Sequence, residues 1–207
     1  MRCRSALTAS LAAWIGILVG VGSVAAGQAP RPSPADASVL RKGSVELGVL
    51  GGAAPSSSWL RARRDRANMA AVNIGRVVTG RVGTGAFSGQ FELLLEVTPV
   101  MNLWSPGHAF GAAVSPVFLR WNFLGSAHLK PFVEVNGGLV VTDQEVPLGT
   151  TRINFLDQGG GGVRVTIGAR RAVLLGYRFQ HLSNGGRLRV NPGANFNFFY
   201  GGLAFQR

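Results

Sequence analysis

From Phe87 to Met101 two kinds of side chain alternate: Phe87, Phe91, Leu93, Leu95 and Val97 in one set, Ser88, Gln90, Glu92, Glu96 and Thr98 in the other. A β-strand puts residues i and i+2 on the same face, so one face here is apolar and the other carries two carboxylates. Such a strand cannot be buried in hydrocarbon-like core on both sides. The division recurs along the chain. Val117, Leu119, Trp121 and Phe123 oppose Phe118, Arg120 and Asn122, and Val133, Val135, Leu139 and Val141 oppose Glu134 and Asn136. Val173, Leu175, Tyr177 and Phe179 oppose Arg178 and Gln180. Six ionic residues, Glu92, Glu96, Arg120, Glu134, Arg164 and Arg178, all fall opposite the apolar face.

No helical period competes with this pattern, and turn signals divide the chain into eight expected strands at 44–52, 69–78, 87–101, 109–124, 131–142, 152–167, 172–183 and 195–205. An even number of strands of about ten residues, with shorter and longer connections in alternation, is the signature of a transmembrane β-barrel. The fold class expected is therefore all-β: an eight-stranded antiparallel transmembrane barrel. A soluble ligand-binding barrel has the reverse polarity, with apolar residues inside. At eight strands the lumen is filled by side chains, so its interior is expected to be polar and to form no pore. The aromatic run Phe196, Phe198, Phe199, Tyr200 and Phe205 is expected to form an interfacial girdle. With both barrel termini in the periplasm, the connections 55–68, 102–108, 143–151 and 184–194 are expected on the extracellular side.

The N-terminus fits export. Arg2 and Arg4 precede an apolar run from Ala6 to Val24, and Ser23, Val24, Ala25 and Ala26 provide a small-residue cleavage site, so residues 1–26 are expected to be a signal peptide. Residues 27–43, with Pro30, Pro32 and Pro34, read as a flexible leader, and 44–207 as one barrel domain. The single cysteine, Cys3, lies ahead of the apolar run, so the exported chain has no disulfide or thiol chemistry. His108 and His128 stand without metal-ligand company, and neither a metal nor another cofactor is expected.

The formal net charge is +12, carried almost wholly by arginine, with Lys42 and Lys130 the lysines. A basic chain invites a nucleic-acid reading, but export removes it from that compartment. Phosphorylated lipid is the expected partner, because the guanidinium fork bonds two phosphate oxygens together. The densest group is Arg61, Arg63, Arg64 and Arg66. Nothing in the sequence indicates an oligomeric state.

In the strand that ends at Ser183, His181 and Ser183 share the apolar face, an imidazole beside a hydroxyl. That is a general base next to a nucleophile, and on a lipid-facing surface the matching substrate is an ester held in the membrane. The stretch from Gly176 to Asn195, G-Y-R-F-Q-H-L-S-N-G-G-R-L-R-V-N-P-G-A-N, resembles the signature of the PagL-type lipid A 3-O-deacylases, eight-stranded outer-membrane barrels with a His-x-Ser-Asn core. The resemblance implies hydrolysis of the 3-O-linked hydroxyacyl ester of lipid A in the outer leaflet of an outer membrane, with lipopolysaccharide as partner. It implies Ser183 as nucleophile, His181 as base, and Asn184 with neighbouring backbone amides as oxyanion donors. It departs at the third position of the triad: the family's acidic residue falls fourteen positions after the histidine, where this chain has Asn195. That leaves slow deacylation, a substitute acid or a degenerate site, and Asp157, on the apolar face of the sixth strand and brought level with His181 or Ser183 across the turn at 168–171, is the candidate substitute acid. The alternative reading is a non-catalytic barrel that binds or stabilises lipopolysaccharide.

Overall fold

The computed structural model describes residues 40–55, 65–105, 107–126 and 128–207. The expected signal peptide, most of the leader, and Arg61, Arg63 and Arg64 lie outside the described residues. The strands are β1 (Val45–Ala54), β2 (Arg66–Val77), β3 (Gly89–Ser105), β4 (Gly107–Phe123), β5 (Leu129–Thr142), β6 (Ile153–Gly168), β7 (Arg171–Ser183) and β8 (Ala194–Gln206). Each pairs antiparallel with its sequence neighbours, and β1 pairs with β8 to close the barrel. Closure leaves no open edge, which lipid demands because an unsatisfied backbone amide there costs several kcal/mol.

The outer wall is apolar: Leu47, Val49, Val72, Ile74, Leu93, Val97, Leu119, Val133, Val135, Leu139 and Leu203 are all exposed. The ionic residues point inward. Arg120 Nε donates to Glu134 Oε2 at 3.0 Å, and Arg178 reaches both Glu134 Oε1 at 2.6 Å and Glu96 Oε1 at 2.7 Å. Tyr200 Oη donates to Glu134 Oε1 at 2.6 Å, and Asn122 Nδ2 to Glu92 Oε2 at 3.0 Å. Arg164 pairs with Glu46, a buried acid the sequence pattern did not single out. A void beside Met69, Glu96, Arg178 and Gln180 measures about 10 Å³, the size of one water. The lumen is thus filled, and the charges the strand pattern sent inward are packed among buried apolar side chains such as Leu50, Phe132, Leu156 and Leu174.

Three expectations change. Phe196, Phe198 and Tyr200 are buried inside the barrel, and only Phe199 and Phe205 of that run face outward, so the run is no girdle. Tyr200 and Phe118 cover Arg178 instead, at 4.7 and 4.9 Å from ring centre to guanidinium. Second, most of the expected loop 102–108 is strand: β3 runs to Ser105, β4 starts at Gly107, and these two residues pair. Third, the end of the expected leader is fastened. Leu40 is buried, and its N–H and C=O bond the Gln90 side chain at 2.7 and 2.6 Å.

Candidate active site

Residues 171–183 form β7 because alternation holds throughout: Leu174, Arg178, Gln180 and Leu182 are buried in the lumen, while Leu175, Phe179, His181 and Ser183 take the outer face. The register then assembles a polar row across three strands. Asp157 of β6 pairs with His181 of β7, and His181 with Asn195 of β8. The next row toward the strand end pairs Phe155 with Ser183. His181 Nδ1 lies 2.7 Å from Asn195 Oδ1. An amide oxygen only accepts, so this bond puts the imidazole proton on Nδ1 and leaves Nε2 free to act as a base. Asp157 is exposed in line with the ring on its other side. Ser183 is half-buried, and no hydrogen bond joins its hydroxyl to the imidazole among the described contacts, as is common before substrate is bound.

The loop after Ser183 is tied by its first residue. Asn184 is buried and points inward; its Nδ2 donates to Val190 O at 2.9 Å and its Oδ1 accepts from Gly186 N–H at 2.9 Å. Its own N–H donates to Asn191 Oδ1 at 3.1 Å. The Asn184 side chain therefore holds the loop rather than sharing the outward face with Ser183. Arg187 donates to the carbonyls of Asn184 and Ile153, and its guanidinium lies 5.2 Å from the Phe155 ring centre. At the loop's other end Gly193 closes on the imidazole: a Cβ there would stand 2.8 Å from His181 Cε1. Sequence reasoning missed Gly193, although the Pro192-Gly193 pair marked a turn.

Below the polar row, β6 exposes Gly159 and Gly161 on its outer face. The register sets Val135 and Phe179 on either side of Gly159, and Val133 and Tyr177 on either side of Gly161. With no side chain between these apolar ridges, the outer face has a furrow beside the Asp157–His181 row that is open at Gly159, where nothing stands within 4 Å of an added Cβ, and closes at Gly161, where Phe132 O would be 2.7 Å away. Tyr177 Oη bonds Asn197 Oδ1 at 2.7 Å on the neighbouring part of this face.

The sequence profile of the lipid A 3-O-deacylase (PagL) family matches residues 83–204, more than half of the chain and all of the row just described. The chain belongs to that family. A solved structure of the outer membrane enzyme PagL superposes with a TM-score of 0.53 at 17% identity, covering 76% of this chain and 97% of that one. The outer membrane protein OprG from Pseudomonas aeruginosa scores 0.46 at 8% identity, covering 82% and 98%, and Neisserial surface protein A scores 0.44 at 13%, covering 78% and 95%. At 17% identity the likeness to the PagL structure is one of fold. No curated protein matches the chain by sequence.

For a chain of the PagL family, the geometry brings together four of the residues expected from sequence: Asp157, His181 and Asn195 in one row and Ser183 in the next. Arg66 is apart from them. It opens β2, exposed, with its guanidinium 4.8 Å from the Trp104 ring centre. Among the described residues no group of His, Cys, Asp and Glu could hold a metal.

Proposed function

We propose that the protein is an outer-membrane esterase that hydrolyses the 3-O-linked hydroxyacyl ester of lipid A, taking its substrate sideways from the outer leaflet. The observation that carries this reading is the 2.7 Å contact from His181 Nδ1 to Asn195 Oδ1, two residues from Ser183 on a lipid-facing strand. Ser183 Oγ attacks the ester carbonyl as its proton passes to His181 Nε2. The imidazolium that forms keeps its orientation through Nδ1–H donating to Asn195. In the turn that Asn184 ties, the N–H groups of Asn184, Gly186 and Arg187 already donate within the turn and its loop, and the Gly185 N–H receives the oxyanion. Collapse expels the sugar oxygen, which takes the proton back from His181. Water, deprotonated by the same imidazole, then releases the hydroxy fatty acid from Ser183.

An amide in the third position supports the ring's direction without charge. In a serine protease the corresponding acid-to-amide exchange lowers kcat by about 10⁴. Asp157, level with His181 on the opposite side, supplies a negative charge to the imidazolium. The furrow along β6 accommodates the acyl chain, and Arg66, with Arg61, Arg63 and Arg64 before it, meets the phosphates of the headgroup. The test is fatty-acid release from purified lipid A in detergent. The parent protein should release a 3-hydroxy acid, and Ser183→Ala and His181→Ala should each lower the rate by at least about 10³ while heat-modifiable gel migration is kept. Release undiminished in Ser183→Ala would remove the serine from the mechanism. No release from the parent would favour a lipopolysaccharide-binding barrel.

A further inference from the structure

The end of the barrel remote from the catalytic row carries an arc of cations that deacylation does not use. Arg41 and Lys42 lie in the turn ahead of β1, Arg76 near the end of β2, Arg170 and Arg171 at the β6–β7 turn, and Arg207 just after β8. All six are exposed. The register joins them into one stretch of rim. Arg207 and Val45 exchange backbone bonds, Val45 pairs with Arg76, Gly43 N–H bonds Val77 O, and Gln206 N–H bonds Arg170 O. With adjacent strands about 4.8 Å apart, the arc spans β7, β8, β1 and β2.

None of the six enters an ion pair among the described residues, and the acids nearest them, Glu46 and Glu92, are buried in the lumen and bonded there. No exposed Asp or Glu side chain stands at this end among the described residues; Asp143, Glu145 and Asp157 are all toward the other. Aromatic rings mark the depth. Around the same rim, on β3 and β4, Phe91 packs edge-on against Trp121 at 4.5 Å and Trp121 against Phe123 at 6.4 Å. Such rings sit where hydrocarbon gives way to headgroups. The cations on β7, β8, β1 and β2 therefore lie at phosphate level, level with the rings on β3 and β4.

We propose that this arc is a binding surface for anionic phospholipid headgroups of the inner leaflet, with the guanidinium forks of Arg170, Arg171, Arg76 and Arg207 taking phosphodiester oxygens. Six cations at headgroup depth that no acidic side chain among the described residues pairs with favour an anionic lipid over a zwitterionic one, whose own ammonium repels them. The arc then anchors the half of the barrel below β7 and β8, fixing the depth at which the catalytic row meets the opposite leaflet. The assignment to the inner leaflet rests on the outer-membrane orientation proposed above.

The experiment refolds the full chain into phosphatidylcholine vesicles containing a trace of spin-labelled phosphatidylglycerol or spin-labelled phosphatidylcholine, and compares the motionally restricted fraction of each. The parent should enrich phosphatidylglycerol about threefold at low salt, falling toward parity at high ionic strength. Replacing Arg170, Arg171 and Arg207 by Gln should reduce the preference, and replacing Arg152 and Arg189 at the other end should leave it. Parity in the parent, a preference insensitive to salt, or loss only with the second set would overturn the proposal. The salt titration needs no variant, so a folding failure leaves the test intact. Orientation is read separately: an impermeant maleimide on intact cells should label Leu188→Cys and spare Ala169→Cys. The reverse labelling would refute the inner-leaflet assignment without touching the lipid preference, and neither readout uses hydrolysis.

Discussion

His181 is oriented by one bond, from Nδ1 to Asn195 Oδ1, and an asparagine makes that bond weaker and less selective than a carboxylate would. If the amide turns over, its NH₂ faces the ring and the opposite tautomer is favoured, which takes the base away from Ser183. Asn195→Asp is therefore expected to raise kcat by about tenfold or more, and Asn195→Ala to lower it, with little change in KM. Asp157→Asn should lower kcat if its charge supports the imidazolium from β6. The four rates in one detergent assay decide between the two sides of the ring: a damaging Asp157→Asn with an indifferent position 195 would move the third role to β6. Gly193 is the other constraint on the ring. Its φ of +65° and the 2.8 Å from a Cβ to His181 Cε1 mean that Gly193→Ala should displace the imidazole and lower activity, leaving heat-modifiable migration unchanged.

Among elements, β6 carries the sharpest contrast. Gly159 faces outward with nothing within 4 Å of an added Cβ, whereas an added Cβ on inward-facing Gly160 would stand 2.0 Å from Tyr177 O. Gly159→Leu should leave the barrel folded and raise KM for lipid A by obstructing the furrow, while Gly160→Ala should reduce folded yield; equal folding and full activity in Gly159→Leu would show that the furrow is not used. The period-2 pattern made most strands readable because each has lipid on one side and charge on the other. It failed where the phase slips. Pro99 and Val100 are both outside, as are Pro116 and Val117, and the bulges there let β3 and β4 run on past the sequence-derived ends. It also misplaced Phe196, Phe198 and Tyr200, since an aromatic ring suits an interfacial girdle and a cover for buried arginine equally well. The site was legible in β7 because i and i+2 share a face. The alignment of Asp157 and Asn195 with His181 depends on cross-strand register, which one strand's sequence does not contain.

The whole molecule is a lumen held by charge inside a wall that favours lipid. Glu134 is its hub, accepting from Arg120, Arg178 and Tyr200. Removing it leaves two guanidinium groups short of a partner in a dry interior, so Glu134→Ala should cost about 3–5 kcal/mol in urea unfolding from lipid vesicles. A loss under about 1 kcal/mol would mean that water enters the lumen and that it is not the closed network described. That rigidity lets three strands hold a polar row at the membrane surface, where a soluble enzyme would need a cleft. The central claim is that this row cleaves lipid A, and the direct measurement is the mass of lipid A from cells expressing the parent protein or Ser183→Ala. The account predicts a species lighter by one 3-hydroxyacyl group with the parent and unchanged lipid A with the variant. Lipid A of identical mass in both strains, with each barrel folded in the outer membrane, would contradict it.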